Sequence, residues 1–207
     1  MSIDAIRDVS DTLIDILNNQ IAGEDGGDID VDIVIASPAD IPEEPSKAAV
    51  ALYLYSIIEN PELKNEERLR VNHMQSRRSP LSLDLYYMLT VYPVVTDVIT
   101  EQHDNNRDAH RTLSRAMRVF YDNGILDGAM LLGGLPETEQ ALRVTLNPIT
   151  VEDLTRIWSV FPQASYRPSV CYLVSPVRVD STDVASHQRV VQIEQAHYSM
   201  APRSGAN

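Results

Sequence analysis

The sequence predicts an α+β fold: one mixed β-sheet with helices packed against a single face, followed by a C-terminal arm. Three observations predict it. Five segments have the apolar patterning of strands, three others have the 3.6-residue periodicity of helices, and the two kinds interleave without any internal repeat. At 207 residues the chain can bury roughly 70% of its unfolded surface without disulfides or metals.

The elements follow in order. Residues 2–21 place Ile3, Ile6, Val9, Leu13, Ile14, Leu17 and Ile21 on one helical face, with aspartates opposite. Gly23 to Asp28 ends that helix. From Ile29 to Ile35 apolar and acidic residues alternate, which predicts a half-buried strand with Ile29, Val31, Ile33 and Ile35 inward. A loop through Pro38, Pro42 and Pro45 leads to Ala48–Ile58, apolar on both faces and therefore expected in the middle of a sheet. Glu59 to Ser79 is polar and charged without apolar periodicity, which predicts a long exposed loop. Leu81–Tyr92 is another strand. Asp104 is expected to cap a helix running to Asn123, with Gly124 as a left-handed C-terminal cap. A loop with Gly133-Gly134 and Pro136 follows, then a short strand at Ala141–Leu146.

The block from Leu146 to Ser181 carries the clearest local signals. Thr150 and Asp153 have capping spacing, and Ile149 and Leu154 flank the cap where a hydrophobic staple sits. Leu154, Ile157, Trp158 and Phe161 share a face before Pro162, and Ser169–Val179 reads as a strand. The main body is thus expected over residues 1–181. Residues 182–207 read as an arm, with one possible strand at Val190–Ala196 and then a mobile tail, and such an arm can add a strand to a neighbouring subunit.

Composition narrows the function classes. A net charge of −13, from 30 acidic against 17 basic residues, argues against nucleic acid and anionic membranes as partners. Only Lys47 and Lys64 are lysines, and an acidic, lysine-poor, arginine-retaining surface suits high salt, though a merely acidic protein fits too. If salt screening matters, the thermal midpoint should climb between dilute buffer and molar potassium chloride; a flat or falling curve removes the halophilic reading. Cys171 is the only cysteine, which fits a reducing compartment, and its mid-strand position predicts a buried, inert thiol. The first twenty residues lack a cationic segment and an apolar core, so the protein is expected to be made in the cytoplasm and not to leave by the general secretory route.

Chemistry-bearing patterns are few. The histidines at 73, 103, 110, 187 and 197 have no metal-ligand spacing, Gly128–Gly134 has no lysine of a phosphate loop, and no serine lies in a GxSxG context. No catalytic residue, cofactor or metal is expected. The one sharp charge pattern is on the helix after Asp104, where Arg107, Arg111, Arg115 and Arg118 fall in a stripe about 80° wide. Ala109, Leu113, Ala116, Met117 and Phe120 lie on the opposite side. The stripe is either a solvated face partnered by Asp104 and Asp108, or a docking surface for an acidic partner or another acidic copy of the chain. Val190, Val191 and Ile193 of the arm complete the candidate interface residues.

Five segments together carry a family resemblance: ALYLYSIIENPELKN at 51–65, PLSLDLYYMLTVY at 80–92, HRTLSRAMRVFYDNGIL at 110–126, the helix-to-strand block from Leu146, and its strand RPSVCYLVSPVRVDS. They resemble the cap, or tail-terminator, proteins of extracellular contractile injection systems of the antifeeding-prophage and virulence-cassette type, themselves related to phage tail terminators. The resemblance covers most of residues 3–181. It implies a structural, non-enzymatic protein in a ring of six copies closing the distal end of a phage tail-like particle, touching the inner-tube and contractile-sheath proteins and fixing particle length. Such a particle can be released from the cell. Two other classes stay open: a soluble adaptor of the same particle, and a small hydrolase with an unrecognised site.

Overall fold

The computed structural model describes residues 3–21, 31–64, 66–72, 75–136 and 141–186. Helix α1 (Ala5–Ile21) is followed by strands β1 (Val31–Ile35), β2 (Ala48–Glu59), β3 (Leu69–Asn72), β4 (Gln75–Arg77) and β5 (Leu81–Tyr92). Helix α2 (Ile99–Asp122), strands β6 (Ile125–Leu126) and β7 (Leu142–Leu146), helix α3 (Val151–Ser159), and strands β8 (Ser169–Val179) and β9 (Val184–Ser186) complete the order. A mixed sheet of six strands runs β1-β2-β5-β8-β7-β6, parallel between β1 and β2 and antiparallel elsewhere. The α+β class holds, and every expected main element is present.

The alternation along the central strands sorts their side chains onto two faces, and both are covered. Val50 and Leu52 of β2 and Leu83, Leu85, Tyr87, Leu89 and Val91 of β5 point to the side where α1 and α2 pack. Ala49 and Ala51, Met88 and Tyr92, and Cys171 point the other way, against Leu154 and Trp158 of α3. The expectation of helices on one face is therefore corrected. A strand run apolar at successive residues needs cover on both sides, and α3 supplies the second. Its docking follows the expected cap: Thr150 Oγ1 accepts the Asp153 N–H at 3.1 Å, and Ile149 and Leu154 join the same cluster.

Several local expectations also shift. The helix around the arginines begins at Ile99 and not at Asp104, because Thr96 organises its entry: its hydroxyl accepts the Val98 N–H at 3.3 Å, and its own N–H donates to Gln102 Oε1 at 3.0 Å. At its other end Gly124 is not left-handed. Asn123 ends the helix instead, its amide donating to Val119 O at 2.8 Å and to Gln20 Oε1 at 3.0 Å. α3 stops at Ser159, ahead of Pro162. Ile3 is 88% exposed and Ile35 50%, so neither points inward. Ile57 and Ile58 are also exposed, since a bulge at Tyr55 breaks the β2 alternation and carries the strand end away from both clusters.

The segment 59–79 is not structureless. β3 and β4 form a hairpin that pairs with β9 in a second, antiparallel sheet of order β3-β4-β9. Its strands are three or four residues long and largely exposed, so they carry no apolar periodicity to read. The start of the expected arm is thus strand β9, whereas the strand expected at Val190–Ala196 lies outside the described residues, as does the segment Gly23–Asp28.

One loop is held by backbone groups. Residues 127–136 lie over α1, where Asp8 Oδ2 accepts the Gly134 N–H at 2.9 Å and Thr12 Oγ1 accepts the Leu132 N–H at 3.0 Å. Gly133 has φ of 62°, and a Cβ there would fall 2.3–2.5 Å from the Asp8 carboxyl atoms. Gly128 has φ of 48° with nothing within 4 Å. Gly133→Ala should cost at least the ~1–3 kcal/mol of a left-handed non-glycine residue plus the displacement of Asp8, and Gly128→Ala only the former. Paired urea melts check this; equal losses would show that the Asp8 contact yields freely.

Candidate functional site

Two neighbouring surfaces on α2 are candidates. Along its first half, Asp104, Arg107, Asp108 and Arg111 line a shallow polar depression of about 400 Å³. Arg107 Nη1 stands 3.6 Å from Asp104 Oδ1, both side chains about 70% exposed. Arg111 also borders an adjoining hollow of about 290 Å³ between α2 and the ends of β1, β2 and β5. There Asn105 Nδ2 donates to Val94 O at 3.1 Å and fixes the helix against the turn after β5. The buried side of α2 is Thr112, Ala116, Val119 and Phe120, with Ala109 and Leu113 partly buried beside them, close to the expected apolar side.

The four arginines are not equivalent. Arg107, Arg111 and Arg118 are exposed, whereas Arg115, at the edge of the stripe nearest the apolar side, is half-buried. Arg118 belongs to the second surface. This is a groove of about 560 Å³ between the end of α2 and β7, lined by Met117, Arg118, Phe120, Tyr121, Val144, Thr145, Leu146 and Tyr172. Tyr121 is 86% exposed and Leu146 48%. Phe120 closes its floor, meeting Tyr172 edge-on with ring centroids 4.9 Å apart. The sequence pattern missed the groove because Tyr121 and Leu146 are isolated apolar residues on different elements, and only the register of β7 on β8 brings them together. Val190, Val191 and Ile193 lie outside the described residues.

Several polar groups elsewhere are tied into structure. Asp84 of β5 faces a bulge of β8 at Ser175 and Pro176, accepting the Ser175 hydroxyl and, at 2.8 Å, the Asn60 amide. On the α3 side, burial pushes the Tyr55 phenol up to about 12 and raises the Cys171 thiol above its ordinary value. Asn147 Nδ2 approaches Tyr55 at 3.3 Å. A buried thiol held in its neutral form is a poor nucleophile, as the mid-strand position predicts. His103 and His110 stand on the exposed side of α2. Among the described residues no group of three His, Cys, Asp or Glu side chains could hold a metal ion, and no helix is long and apolar enough to cross a membrane.

The arrangement offers surfaces for contact: a charged face, an apolar groove and sheet edges. A cryo-EM structure of the PVC sheath/tube terminator in the extended state, from an extracellular contractile injection system, superposes with a TM-score of 0.65 at 20% identity, covering 96% of this chain and 65% of that one. The tube-terminating cap of the anti-feeding prophage gives 0.53 at 16% identity, covering 95% of this chain and 61% of that one. The chain therefore spans just under two thirds of the length of those structures. No curated protein matches the sequence. The family described as the Pvc16 N-terminal domain matches residues 8–193, nearly the whole sequence, and the chain belongs to that family.

Proposed function

We propose that the protein is the structural, non-enzymatic cap of a contractile injection particle, closing the distal end of tube and sheath and fixing particle length. The observation that carries this reading is the match of nearly the whole chain to two terminators, together with the family match over residues 8–193. The chain's own chemistry is in keeping with it, since its polar clusters serve packing and its open surfaces suit contact with other proteins.

In this reading six copies form a ring. A head-to-tail interface closes when its rotation permits, so each copy presents two different surfaces to its neighbours. Arg107, Arg111 and Arg118 supply one charged surface, suited to bidentate pairing with carboxylates of an acidic neighbour. The inner-tube and sheath proteins are the other partners. The protein reaches the outside as part of a phage tail-like particle.

The test is to tag the chain and image purified particles. Label at one end only, and particles of variable length when the chain is omitted, are the expected results. Label distributed along the tube, or no chain in purified particles, would overturn the reading.

A further inference from the structure

The groove beside β7 has a feature that a simple apolar hollow lacks. β6 pairs with β7 only at Leu142 and Arg143, so among the described residues no strand covers the outer side of β7 from Val144 to Leu146. The Asn147 N–H points back to Cys171 O on β8, and the Val144 N–H points outward to Gly124 O. Leu146, two residues after Val144, therefore also turns its backbone outward, over a groove walled by Tyr121, Phe120 and Met117. A strand edge next to an apolar trough is the arrangement that takes an added strand with alternate side chains inserted.

The chain contains a segment of matching chemistry. After Ser186 there are 21 residues, and Val190, Val191 and Ile193 make their strongest apolar cluster, with Glu194 next to it. Glu194 suits the guanidinium of Arg118 at the groove. We propose that the groove receives residues 190–196 of a second copy of this chain, laid along Val144–Leu146 as an added strand. This rests on the ring of like copies proposed above.

Chain geometry favours another copy over the chain's own segment. The groove lies beside Tyr172 of β8, while the chain leaves β8 at Val179, about 23 Å further along at 3.3 Å per residue. It then runs along β4 from Arg77 to Gln75, so that Ser186 sits at the end of β4 remote from β5. Val190, four residues on, reaches at most ~14 Å from Ser186. That reach is shorter than the stretch of β8 between the groove and the strand's exit, which favours the groove of a neighbouring copy in the proposed ring.

The test uses disulfide trapping in assembled particles. The full chain carries L146C and I193C in a C171A background, which removes the native thiol. Leu146 is 48% exposed, so the first change leaves the core intact. On mild oxidation a ladder of covalently linked copies is expected on denaturing gels. A second sample, with L146C and I193C on separate chains, should give the two-chain product alone, and adding V191D should abolish it. An intramolecular disulfide, or free thiols in particles whose ends carry the chain, would overturn the inference while leaving the cap reading in place. Particles without the chain would overturn both.

Discussion

Replacing Phe120 with alanine should lower stability by about 3–5 kcal/mol, the range for deleting a buried aromatic side chain. Phe120 is 2% exposed and meets Tyr172 with its ring plane at 71°. It therefore joins α2 to β8 near the centre of the larger core, a site with little freedom to collapse around a void. For a chain of this length the melting temperature should fall by roughly 10 °C. Circular dichroism during thermal and urea unfolding measures it. A loss under about 1 kcal/mol would show that the groove side of α2 is loosely packed, and would weaken the case for a preformed trough there.

The second large effect is expected on assembly and not on the isolated fold. Arg107→Glu with Arg111→Glu reverses two charges that the fold barely uses. The Arg107–Asp104 pair is exposed and contributes under about 1 kcal/mol, and surface changes usually stay within about 0.5 kcal/mol. Against an acidic neighbour the same change places like charges together, which can cost several kcal/mol. The variant should give a native dichroism spectrum and uncapped or length-variable particles by electron microscopy. Normal capped particles would return these arginines to the role of a solvated helix face. Arg115 is best left alone, because its half-buried side chain would confuse folding with docking.

What could be read from the sequence follows the length of the physical signal. Strands such as Leu81–Tyr92 and helices such as Ala5–Ile21 bury a whole face, so their periodicity repeats enough times to be legible. The Thr150 cap is legible because its partner is three residues away. The placement of α3 on the opposite face was not, since it depends on the order of strands and not on any one of them. β3, β4 and β9 escaped because they are short and largely exposed, and because β9 pairs with β4 through backbone groups more than a hundred residues away in sequence. The start of α2 was misplaced because Asp104 looks like a cap, whereas Thr96, three residues before the observed start at Ile99, does the work from outside it. At the candidate surfaces, the arginine stripe was visible as a helical repeat, but the difference between Arg115 and the other three arises from packing. The groove needed three elements to meet.

The two-sided sheet also makes the molecule's optical signals selective. Trp158 is the sole tryptophan, and it lies in the smaller cluster, edge-on to Tyr166 and beside Cys171 and Leu154. Its emission therefore reports whether α3 is seated. Far-ultraviolet ellipticity is dominated instead by α1 and α2, on the other side. If the two layers separate in distinct steps, fluorescence and ellipticity will trace different curves in one denaturation experiment; if the shared strands make them one cooperative unit, the curves will superimpose. A single intrinsic fluorophore thus distinguishes undocking of one helix from collapse of the whole sheet, with no label attached.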